Sequence, residues 1–589
     1  MRLAEFVHAR IAHTSTPVRY AKVTTQPRAV TRQSQQGLGQ GPSSSTERTQ
    51  DKEIFQKGPS PIRVGPLSGL LERYPDRAAA EYLLAGFTEG FRIPALGPRS
   101  PCLAANLKSV KGLENIVEQK INKEVREGRV LGPFVGPPTP QFRVSPLGIV
   151  PKKAIGEYRL IHHLSYPRGG SVNDAIPDEQ CSVSYTSFDT AVRLVRRYGP
   201  GAELAKCDIK SAFRLLPVHP ADFELLGFQF QGLFYCDRAL PMGCAVSCAA
   251  FETFSTFLEW AIKEKSGLRG VAHYLDDFLF VGKSGSGDCG ALLCAFQQLA
   301  EYLGVPLAEE KTEGPLTVLT FLGIELDTVN QFSRLPDGKV LALIDRISQF
   351  LPRRKATLRE FQQIIGHLNF ACKVIAPGRA FLRRLCDAVT GIALPHYHIR
   401  LTSEIRADLF VWLQFLRQFN GISFWRQELM VRNALEVSSD AAGSIGFGIY
   451  FKGHWCAERW PDDWHSAGIT ADLTFLEFFP ILVAVTLWAD MFANATVHFW
   501  CDNMATVQVI NTLTSKSRRV MGAIRQFVLH CLKFNILFRA FHIAGLSNTL
   551  ADALSRFQME RFRQLAPDAD VAPERMPDHL WRVGVTRQR

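Results

Sequence analysis

The sequence predicts a multidomain protein of mixed α/β and α+β class. At 589 residues the chain is too long for one hydrophobic core, and its length corresponds to roughly three or four domains. Strand patterns alternate with helical patterns from about 145 to 332, and a second α/β pattern runs from 435 to about 557. A basic helical region separates the two. The apolar content of 46% is sufficient for packed cores in these regions.

The charge of the chain favours a polyanionic partner. The formal net charge is +12, although membrane-surface binding or simple solubility would also explain it. The thirteen cysteines include no Cys-x-x-Cys pair, which argues against a disulfide framework and against a zinc ribbon or knuckle. We therefore expect reduced thiols and an intracellular location, in the cytoplasm, the nucleus or both.

The N-terminal 95 residues predict a basic, disordered arm, because Gln, Gly, Ser and Pro cluster between 32 and 45. Residues 1–36 also resemble a transit peptide, which is an alternative interpretation. No apolar run reaches the roughly 18 residues that a membrane span needs. We expect neither a membrane partner nor a secretion signal.

A pair of adjacent carboxylates stands out in Tyr274–Asp277. Apolar residues precede and follow it, which predicts two short strands with Asp276 and Asp277 at the hairpin between them. Two neighbouring carboxylates repel each other unless a cation neutralises them, and Mg²⁺ prefers carboxylate oxygen. The alternative is a solvated surface hairpin.

Asp208 follows an apolar approach at 202–207 and lies 68 residues before Asp276. A carboxylate at a strand end can face the acidic hairpin. Three carboxylates together can hold two Mg²⁺ ions, which would activate a primer 3′-OH and clamp a triphosphate for in-line displacement.

Three motifs in order give a resemblance to a known family. Asp-x-x-x-Ala-Phe at Asp208–Phe213, Leu-Pro-x-Gly at Leu240–Gly243 and Tyr-x-Asp-Asp at Tyr274–Asp277 resemble the motifs of reverse transcriptases. The resemblance covers about 105–395 and implies a right-hand polymerase with fingers, palm and thumb.

The resemblance implies roles for individual residues. Asp208 and Asp276 would be the principal metal ligands, with Asp277 in support. Phe213 stands where the family has a bulky steric gate against a ribose 2′-OH, which would favour dNTPs. Arg159 resembles the fingers arginine that grips the triphosphate.

Other nucleotide contacts also follow from the resemblance. Lys153 or its neighbour Lys152 would assist Arg159, and Lys311 resembles a lysine that protonates pyrophosphate, although an exposed surface lysine is the alternative. Gly243 would let the backbone approach the nucleotide closely. Met242 departs from the family, because retroviral enzymes have Gln there.

A further motif, Phe321, Leu322 and Gly323, resembles the primer grip. On this basis, 105–335 would form fingers and palm, 336–395 a thumb-like helical region and 396–432 a connection. Lys and Arg of the thumb-like region would meet phosphates, giving sequence-independent binding, unless they are an ordinary solvated face.

A second set of acids follows. Asp440 lies in a predicted strand before the alternating run 446–451, Glu477 opens an apolar helix, Asp502 ends a strand, and Asp552 lies in a predicted helix. Their separations of 37, 25 and 50 residues put them on four elements. Four convergent carboxylates could hold two Mg²⁺ ions for phosphodiester hydrolysis. Each could otherwise be a surface acid.

These four acids resemble the Asp-Glu-Asp-Asp set of ribonuclease H, over about 433–557. The segment Ala551–Arg556 is similar to that of gypsy-like and DIRS-type retrotransposon enzymes. His542 invites comparison with a loop histidine of the family, but it lies in an apparent strand. Residues 558–589 are predicted to be a loosely ordered tail.

The predicted function is RNA-directed DNA polymerase with ribonuclease H activity in one chain. Its partners would be an RNA template, a DNA primer, the RNA–DNA hybrid and dNTPs. The expected cofactor is Mg²⁺, two ions per active site, with Mn²⁺ as a substitute. The alternatives are a catalytically inactive, retroelement-derived nucleic-acid-binding protein and a chain with ribonuclease H activity only.

Overall fold

The chain divides into two units, 1–322 and 323–589. The computed structural model describes residues 56–152, 156–418, 420–423 and 434–583. Each unit contains its own sheets and helices, so the predicted multidomain α/β and α+β class is confirmed.

The first unit combines strands and helices throughout its described length. Its strands are β1 (Cys102–Leu103), β2 (Val130–Phe134), β3 (Arg143–Val144), β4 (Leu147–Pro151), β5 (Tyr158–His162), β6 (Glu203–Asp208), β7 (Gly227–Phe230), β8 (Leu233–Asp237), β9 (Val271–Tyr274), β10 (Asp277–Gly282), β11 (Glu313–Leu316) and β12 (Val318–Phe321). Its α-helices are α1 (Val64–Leu71), α2 (Arg77–Glu89), α3 (Glu114–Arg126), α4 (Asp178–Cys181), α5 (Phe188–Tyr198), α6 (Ser247–Ser266) and α7 (Asp288–Leu303).

An antiparallel sheet in the order β11-β6-β10-β9, here called the palm sheet, carries the predicted polymerase motifs. The apolar run Phe278–Val281 of β10 is fully buried, and helices α6 and α7 pack against the sheet. This burial explains why the run contains no polar residue. The predicted hairpin around Asp276 and Asp277 is confirmed as β9 and β10.

Two further sheets complete the first unit. Strands β1-β3-β7-β8-β2 form a mixed five-stranded sheet, and β4 pairs with β5 as a separate antiparallel hairpin. His162, at the end of β5, is buried and lies 2.9 Å from Asp237 at the end of β8. This contact fixes the base of the β4–β5 hairpin against the five-stranded sheet.

The predicted disordered arm is wrong for the part of it that the structure describes. Helices α1 and α2 pack on α7 and α6, and the Phe87 ring lies 5.0 Å from that of Phe254. Gly, Ser and Pro are frequent up to and within α1, whose sequence is Val-Gly-Pro-Leu-Ser-Gly-Leu-Leu, so the composition of the first 95 residues concealed two packed helices. Residues 1–55, including the transit-peptide interpretation, lie outside the described residues.

The second unit begins with short strands and a helical region and ends in an α/β domain. Its strands are β13 (Ile324–Asp327), β14 (Phe332–Arg334), β15 (Lys355–Thr357), β16 (His398–Arg400), β17 (Ile422–Ser423), β18 (Leu435–Ala442), β19 (Gly446–Phe451), β20 (His454–Arg459), β21 (Thr496–Cys501) and β22 (Leu537–His542). Its α-helices are α8 (Asp337–Phe350), α9 (Leu358–Ala371), α10 (Arg383–Val389), α11 (Ser403–Gln418), α12 (Asp462–Ser466), α13 (Leu473–Leu487), α14 (Met504–Thr512), α15 (Arg518–Lys533), α16 (Thr549–Ser555) and α17 (Met559–Leu565).

The α/β domain is built on one five-stranded sheet in the order β20-β19-β18-β21-β22. Its first three strands in sequence form an antiparallel meander, and β21 and β22 run parallel to β18. Neighbouring side chains of β19 face opposite sides: Phe447 packs on Phe479 of α13, and Gly448 adjoins Leu554 of α16. Helices therefore cover both faces, as predicted for a ribonuclease H-like fold.

The predicted loose tail is also wrong within the described residues. Phe562 of α17 is fully buried, and Leu580 is 1% exposed. The indole of Trp581 stacks on Phe479, with centroids 5.4 Å apart. The tail sequence is polar between these anchors, so single buried side chains were hidden among charged neighbours.

Helix α13 begins before the predicted start at Glu477. Asp472 caps it by accepting a hydrogen bond from the Phe475 N–H, and Pro480 lies inside the helix. Among the described helices, none is both long and apolar enough to span a membrane. All thirteen cysteines are free, as their spacing predicted.

Candidate active sites

Three carboxylates meet at one end of the palm sheet, and we call Asp208, Asp276 and Asp277 the first acidic cluster. Asp208 is the last residue of β6 and Asp277 the first of β10, and the two are paired directly opposite each other. Directly opposed residues of antiparallel strands have Cα atoms about 4.5–5.5 Å apart. The strand register thus brings together two acids 69 residues apart in the sequence.

The hairpin turn sets the position of the third acid. Leu275 has φ of +52°, a left-handed conformation that is uncommon for a branched side chain. The carbonyl of Asp276 accepts a hydrogen bond of 3.0 Å from the Ile209 N–H. The turn is therefore tied to the chain immediately after Asp208.

Electrostatics confirm that the three acids interact. Burial, and then the charge of Asp208, raise the pKa of Asp276 to about 6. Burial, Asp276 and Asp208 raise the pKa of Asp277 to about 7. Charged carboxylates are thus unfavourable here without a cation.

Lys311 supplies one positive charge. Its Nζ lies 2.8 Å from Asp208 Oδ1, while its side chain remains 56% exposed. Lys311 is therefore exposed to solvent and also contacts the acidic cluster, so the two interpretations of this residue do not exclude each other. Lys311 offsets the charge of one of the three carboxylates, and the other two leave negative charge that favours a further cation.

The predicted triphosphate-binding residues lie on the β4–β5 hairpin. Arg159 is in β5, and its charge lowers the pKa of Asp276, opposing the larger effect of burial. Lys153 lies outside the described residues, and Lys152 forms an ion pair of 2.9 Å with Glu157. The structure thus brings Arg159 within electrostatic reach of the first acidic cluster.

Phe213 lies in a short 3₁₀ segment, Ala212–Leu215, that follows Asp208. Its ring is half-buried and meets Phe251 edge-on, with centroids 5.8 Å apart. The contact with Phe251 thus fixes the ring on the chain segment that follows Asp208.

The loop that carries Met242 and Gly243 is held by a residue that sequence analysis missed. Gly243 has φ of +118°, and an added Cβ would lie 2.2 Å from the His162 carbonyl oxygen. Buried Asn173 donates to the Gly243 carbonyl at 2.7 Å and accepts from the Ala245 N–H at 2.9 Å. Met242 is half-buried. No local pattern links Asn173 to a loop 70 residues later.

The predicted primer grip includes Leu322, the last residue of the first unit in the sequence. Phe321 is buried in β12, so its side chain belongs to the core. Leu322 and Gly323 follow with positive φ values of +47° and +76°. The Gly323 carbonyl accepts a hydrogen bond from Lys339 Nζ at 2.6 Å.

The second acidic cluster comprises Asp440, Glu477, Asp502 and Asp552. Asp440 is in β18, Glu477 in α13, Asp502 directly after β21, and Asp552 in α16. Asp440 and Glu477 are 6% and 8% exposed. Ligand atoms of Glu477, Cys501 and Asp502 lie within 4.8 Å of one another.

The charges of the second acidic cluster act on one another. Burial, Asp440 and Asp502 raise the pKa of Glu477 to about 9. Burial raises the pKa of Asp440 to about 6, where Asp502 and Asp552 add to the rise and the Ser555 hydroxyl opposes it. The predicted acids from four elements therefore converge.

Asp552 is balanced by two arginines. Arg556 Nε lies 2.6 Å from one carboxylate oxygen and Arg561 Nη1 lies 2.7 Å from the other. Burial raises the pKa of Asp552, but the hydrogen bonds and the charges of the two arginines together lower it below its ordinary value. The four-residue spacing on a helix could have indicated Arg556, whereas Arg561 lies beyond the helix end and has no such signal.

His542 occupies the last position of β22, as predicted. Its side chain is exposed, and Nε2 lies 3.1 Å from the carbonyl oxygen of Asp502. Asn548 does not cap α16 through its side chain; its amide instead donates to the Ser439 carbonyl at 2.9 Å. That bond attaches the start of α16 to the strand that carries Asp440.

Comparison with known proteins gives a family match for part of the chain. Residues 150–326 match the family model "Reverse transcriptase (RNA-dependent DNA polymerase)". The chain contains a reverse transcriptase domain. The match covers the end of β4, β5, all three acids of the first cluster and β12. This domain is similar to retroviral and hepadnaviral polymerase proteins.

Two curated relatives show the extent of the similarity. The Gag-Pro-Pol polyprotein of Mason-Pfizer monkey virus is 25% identical over 212 residues, 34% of this chain and 11% of the relative. Protein P of duck hepatitis B virus (strain Germany/DHBV-3) is 26% identical over 201 residues, 33% of this chain and 25% of the relative. The chain thus matches a small part of the length of each.

Solved structures of a foamy viral protease-reverse transcriptase also align. A complex with RNA/DNA hybrid gives a TM-score of 0.47 at 15% identity, covering 92% of this chain and 66% of the other. A complex with double-stranded DNA gives 0.44 at 16% identity, covering 82% and 97%.

The donor sets of both clusters fit Mg²⁺. Both consist mainly of carboxylate oxygens, the ligands that hard divalent cations prefer. Each cluster is already touched by cationic side chains, Lys311 in the first and Arg556 and Arg561 in the second. Cys501 Sγ lies 3.7 Å from Glu477 Oε2, but burial holds the pKa of this thiol far above its usual range, so it is a neutral neighbour.

Proposed function

We propose that this chain is an RNA-directed DNA polymerase that also cleaves the RNA strand of RNA–DNA hybrids, with two Mg²⁺ ions at each active site and Mn²⁺ as a substitute. Its substrates would be an RNA template, a DNA primer and dNTPs. The proposal rests most on one observation: two separate carboxylate clusters, each on a sheet of its own, in a chain with a reverse transcriptase domain.

In the polymerase reaction, Asp208, Asp276 and Asp277 would hold the divalent ions. The bound ions would supply charge neutralisation at the transferred phosphate and activation of the primer 3′-OH. Phe213 would exclude a ribose 2′-OH from its fixed position beside the cluster, and Arg159 would attract the triphosphate.

Lys311 would act on the leaving group in this proposal. The ammonium lies 2.8 Å from Asp208 Oδ1, which supports a role for Lys311 in stabilising and protonating the leaving pyrophosphate. Gly243, without a side chain, leaves the loop backbone open to the nucleotide, and Met242 beside it would set contacts that differ from those of retroviral enzymes.

In the ribonuclease H reaction, Asp440, Glu477, Asp502 and Asp552 would hold the ions. The buried pair Asp440 and Glu477 forms the base of the site, and Asp552 lies at its rim, where Arg556 and Arg561 are partly exposed. These arginines could exchange Asp552 for a phosphate of the hybrid. The sequence of Ala551–Arg556 supports the narrower proposal that the chain comes from a DIRS-type element.

One gel tests both activities. The full-length protein is incubated with Mg²⁺, dNTPs and a DNA primer annealed to an RNA template, each strand carrying a different dye. We expect primer extension together with shortening of the RNA. Extension without shortening would remove the ribonuclease H part, and shortening alone would leave ribonuclease H only.

If neither strand changes, the proposal fails, and the alternative of a nucleic-acid-binding protein without catalysis is favoured. That alternative predicts hybrid binding that Asp276→Asn and Asp502→Asn leave unchanged. Substrate class is tested in the same reaction, because a reverse transcriptase should extend with dNTPs and not with rNTPs.

A further inference from the structure

A chain of buried charged groups lies behind the acidic hairpin of the first unit. Glu252 on α6 is 9% exposed, and His273 on β9 is 5% exposed. Glu259, two helical turns after Glu252 on the same face of α6, completes the chain together with Lys263. None of these groups has a part in the polymerase reaction proposed above.

Hydrogen bonds connect this chain to the hairpin turn. Glu252 Oε2 accepts from the Leu275 N–H at 3.2 Å, and Glu252 Oε1 lies 3.3 Å from His273 Nε2. His273 Nδ1 lies 2.5 Å from Glu259 Oε2, and Lys263 contacts the other oxygen of Glu259. The order is thus Lys263, Glu259, His273, Glu252 and the backbone of Leu275.

Leu275 is the residue at which the turn needs support. A left-handed conformation is unfavourable for a residue other than glycine, and the φ of Leu275 is +52°. Its N–H is bound by a carboxylate that cannot move freely, because the imidazole holds the other oxygen of Glu252. The next two residues are Asp276 and Asp277.

We propose that Glu252, held in place by His273, is a positioning residue that fixes the Leu275 turn and thereby sets the separation of Asp276 and Asp277 from Asp208. The inference rests on the proposed polymerase function and deepens it. Shifts of about 1 Å in reacting groups can cost 10²-fold in rate, so a side chain that never touches substrate can control the reaction.

The ionic state of His273 supports this arrangement. Burial lowers its pKa, but hydrogen bonds and charge interactions with Glu252 and Glu259 raise it to about 9. At neutral pH the ring is therefore an imidazolium, whose Nδ1 donates to Glu259 and whose Nε2 forms an ion pair of 3.3 Å with Glu252. The Phe278 ring stacks on it with centroids 5.4 Å apart, which restricts the imidazolium further.

The experiment compares Glu252→Gln with Glu252→Met in the full-length protein. Gln keeps an oxygen that can accept from the Leu275 N–H, whereas Met keeps the size and loses the acceptor. We expect Glu252→Met to lower kcat for primer extension roughly 10- to 100-fold with little change in KM for dNTP. We expect Glu252→Gln to stay within about threefold of the unmodified protein. Glu264→Gln, an exposed acid on the same helix, is the matched control.

A second readout does not depend on activity. Binding of Mn²⁺ by the first acidic cluster, measured by electron paramagnetic resonance in an Asp502→Asn background, should weaken several-fold in Glu252→Met and much less in Glu252→Gln. If Glu252→Met does not fold, His273→Gln replaces it, because that change frees Glu252 while leaving its carboxylate in place.

The outcomes separate this inference from the proposed function. Extension and Mn²⁺ affinity that are equal in Glu252→Met and the unmodified protein would overturn the inference, as would equal losses in the Gln and Met variants. If the unmodified protein fails to extend a primer, the polymerase proposal fails, and the Mn²⁺ comparison still decides the role of Glu252.

Discussion

In the first acidic cluster, Asp208 and Asp277 face each other across adjacent strands, whereas the four acids of the second cluster come from two strands and two helices. A ladder of backbone hydrogen bonds fixes the first arrangement. The second depends on how α13 and α16 pack on the sheet. A sheet register therefore determines one site, and side-chain packing determines the other.

The two clusters also differ in how their charge is balanced. Lys311 contacts Asp208, which faces the centre of the first cluster. In the second cluster the balancing groups, Arg556 and Arg561, contact only Asp552 at the rim. Glu477 has no such partner among the described contacts, and burial and like charges raise its pKa to about 9. The second cluster should depend more strongly on bound cations.

Removal of metal should have the largest effect on both clusters. Chelation with EDTA is expected to lower primer extension and RNA cleavage by roughly 10³-fold or more, because each reaction would lose the charges that stabilise the transferred phosphate. Both rates should return when Mg²⁺ is added in excess. Persistence of either activity in EDTA would separate that activity from its carboxylate cluster.

Positions within the second cluster should not be equivalent. We expect Asp502→Asn to lower RNA cleavage roughly 10³-fold and Asp552→Asn only about 10- to 100-fold, because Asp552 lies at the rim and is shared with two arginines. Single-turnover cleavage of a labelled hybrid measures both. Primer extension by the same samples is the control. Equal losses of RNA cleavage in the two variants would mean that the position of Asp552 at the rim does not reduce its importance.

Neutralising one acid should stabilise the metal-free protein. In EDTA at pH 7, Glu477→Gln is expected to raise the midpoint temperature of thermal unfolding, because a charged carboxylate is unfavourable among buried acids. Each kcal/mol added to the free energy of unfolding should raise the midpoint by roughly 2–4 °C. Asp277→Asn should give a smaller rise, because Lys311 already balances the first cluster. Thermal unfolding with Asp568→Asn, an exposed acid, as control measures the difference. A destabilised Glu477→Gln protein would contradict this account.

The smallest expected effect concerns pH and the support of the first cluster. The pKa of His273 is raised from 6.5 to about 9 in the folded protein, so its contribution is complete below pH 6.5 and is lost as the pH rises through 9. The stability difference between the unmodified protein and His273→Gln should therefore shrink by about 2–3 kcal/mol between pH 6 and pH 9.5. Denaturant unfolding at both pH values measures this. A difference that does not change with pH would mean that His273 is not an imidazolium.

Apolar runs made Asp208, Asp276, Asp277 and Asp502 conspicuous, because each of these acids lies at the end or the start of such a run. Asp440, Glu477 and Asp552 were predicted through the resemblance to ribonuclease H. A strand such as Phe278–Val281, buried on both faces, is visible as an uninterrupted apolar segment, and the carboxylates at its end are conspicuous. The sheet that carries Asp440 was similarly visible from the alternation at 446–451. These patterns could be recognised in the sequence because each one is confined to a few neighbouring residues.

The supporting contacts could not be predicted because they are long-range and polar. Asn173 and Gly243 are 70 residues apart, and nothing near either residue indicates the bond between them. Helix α1 was missed because Gly, Pro and Ser make up half of its residues, and the contact of Trp581 with Phe479 was missed because Trp581 stands among charged residues. Composition describes a segment on average, whereas packing depends on particular side chains.

The most direct test of two separate metal-dependent sites is one reaction with two variants. Asp276→Asn and Asp502→Asn proteins are each incubated with Mg²⁺, dNTPs and the doubly labelled primer–template. The account predicts that Asp276→Asn still shortens the RNA but does not extend the primer, and that Asp502→Asn does the reverse. Loss of both activities in either variant, or of neither, would contradict it.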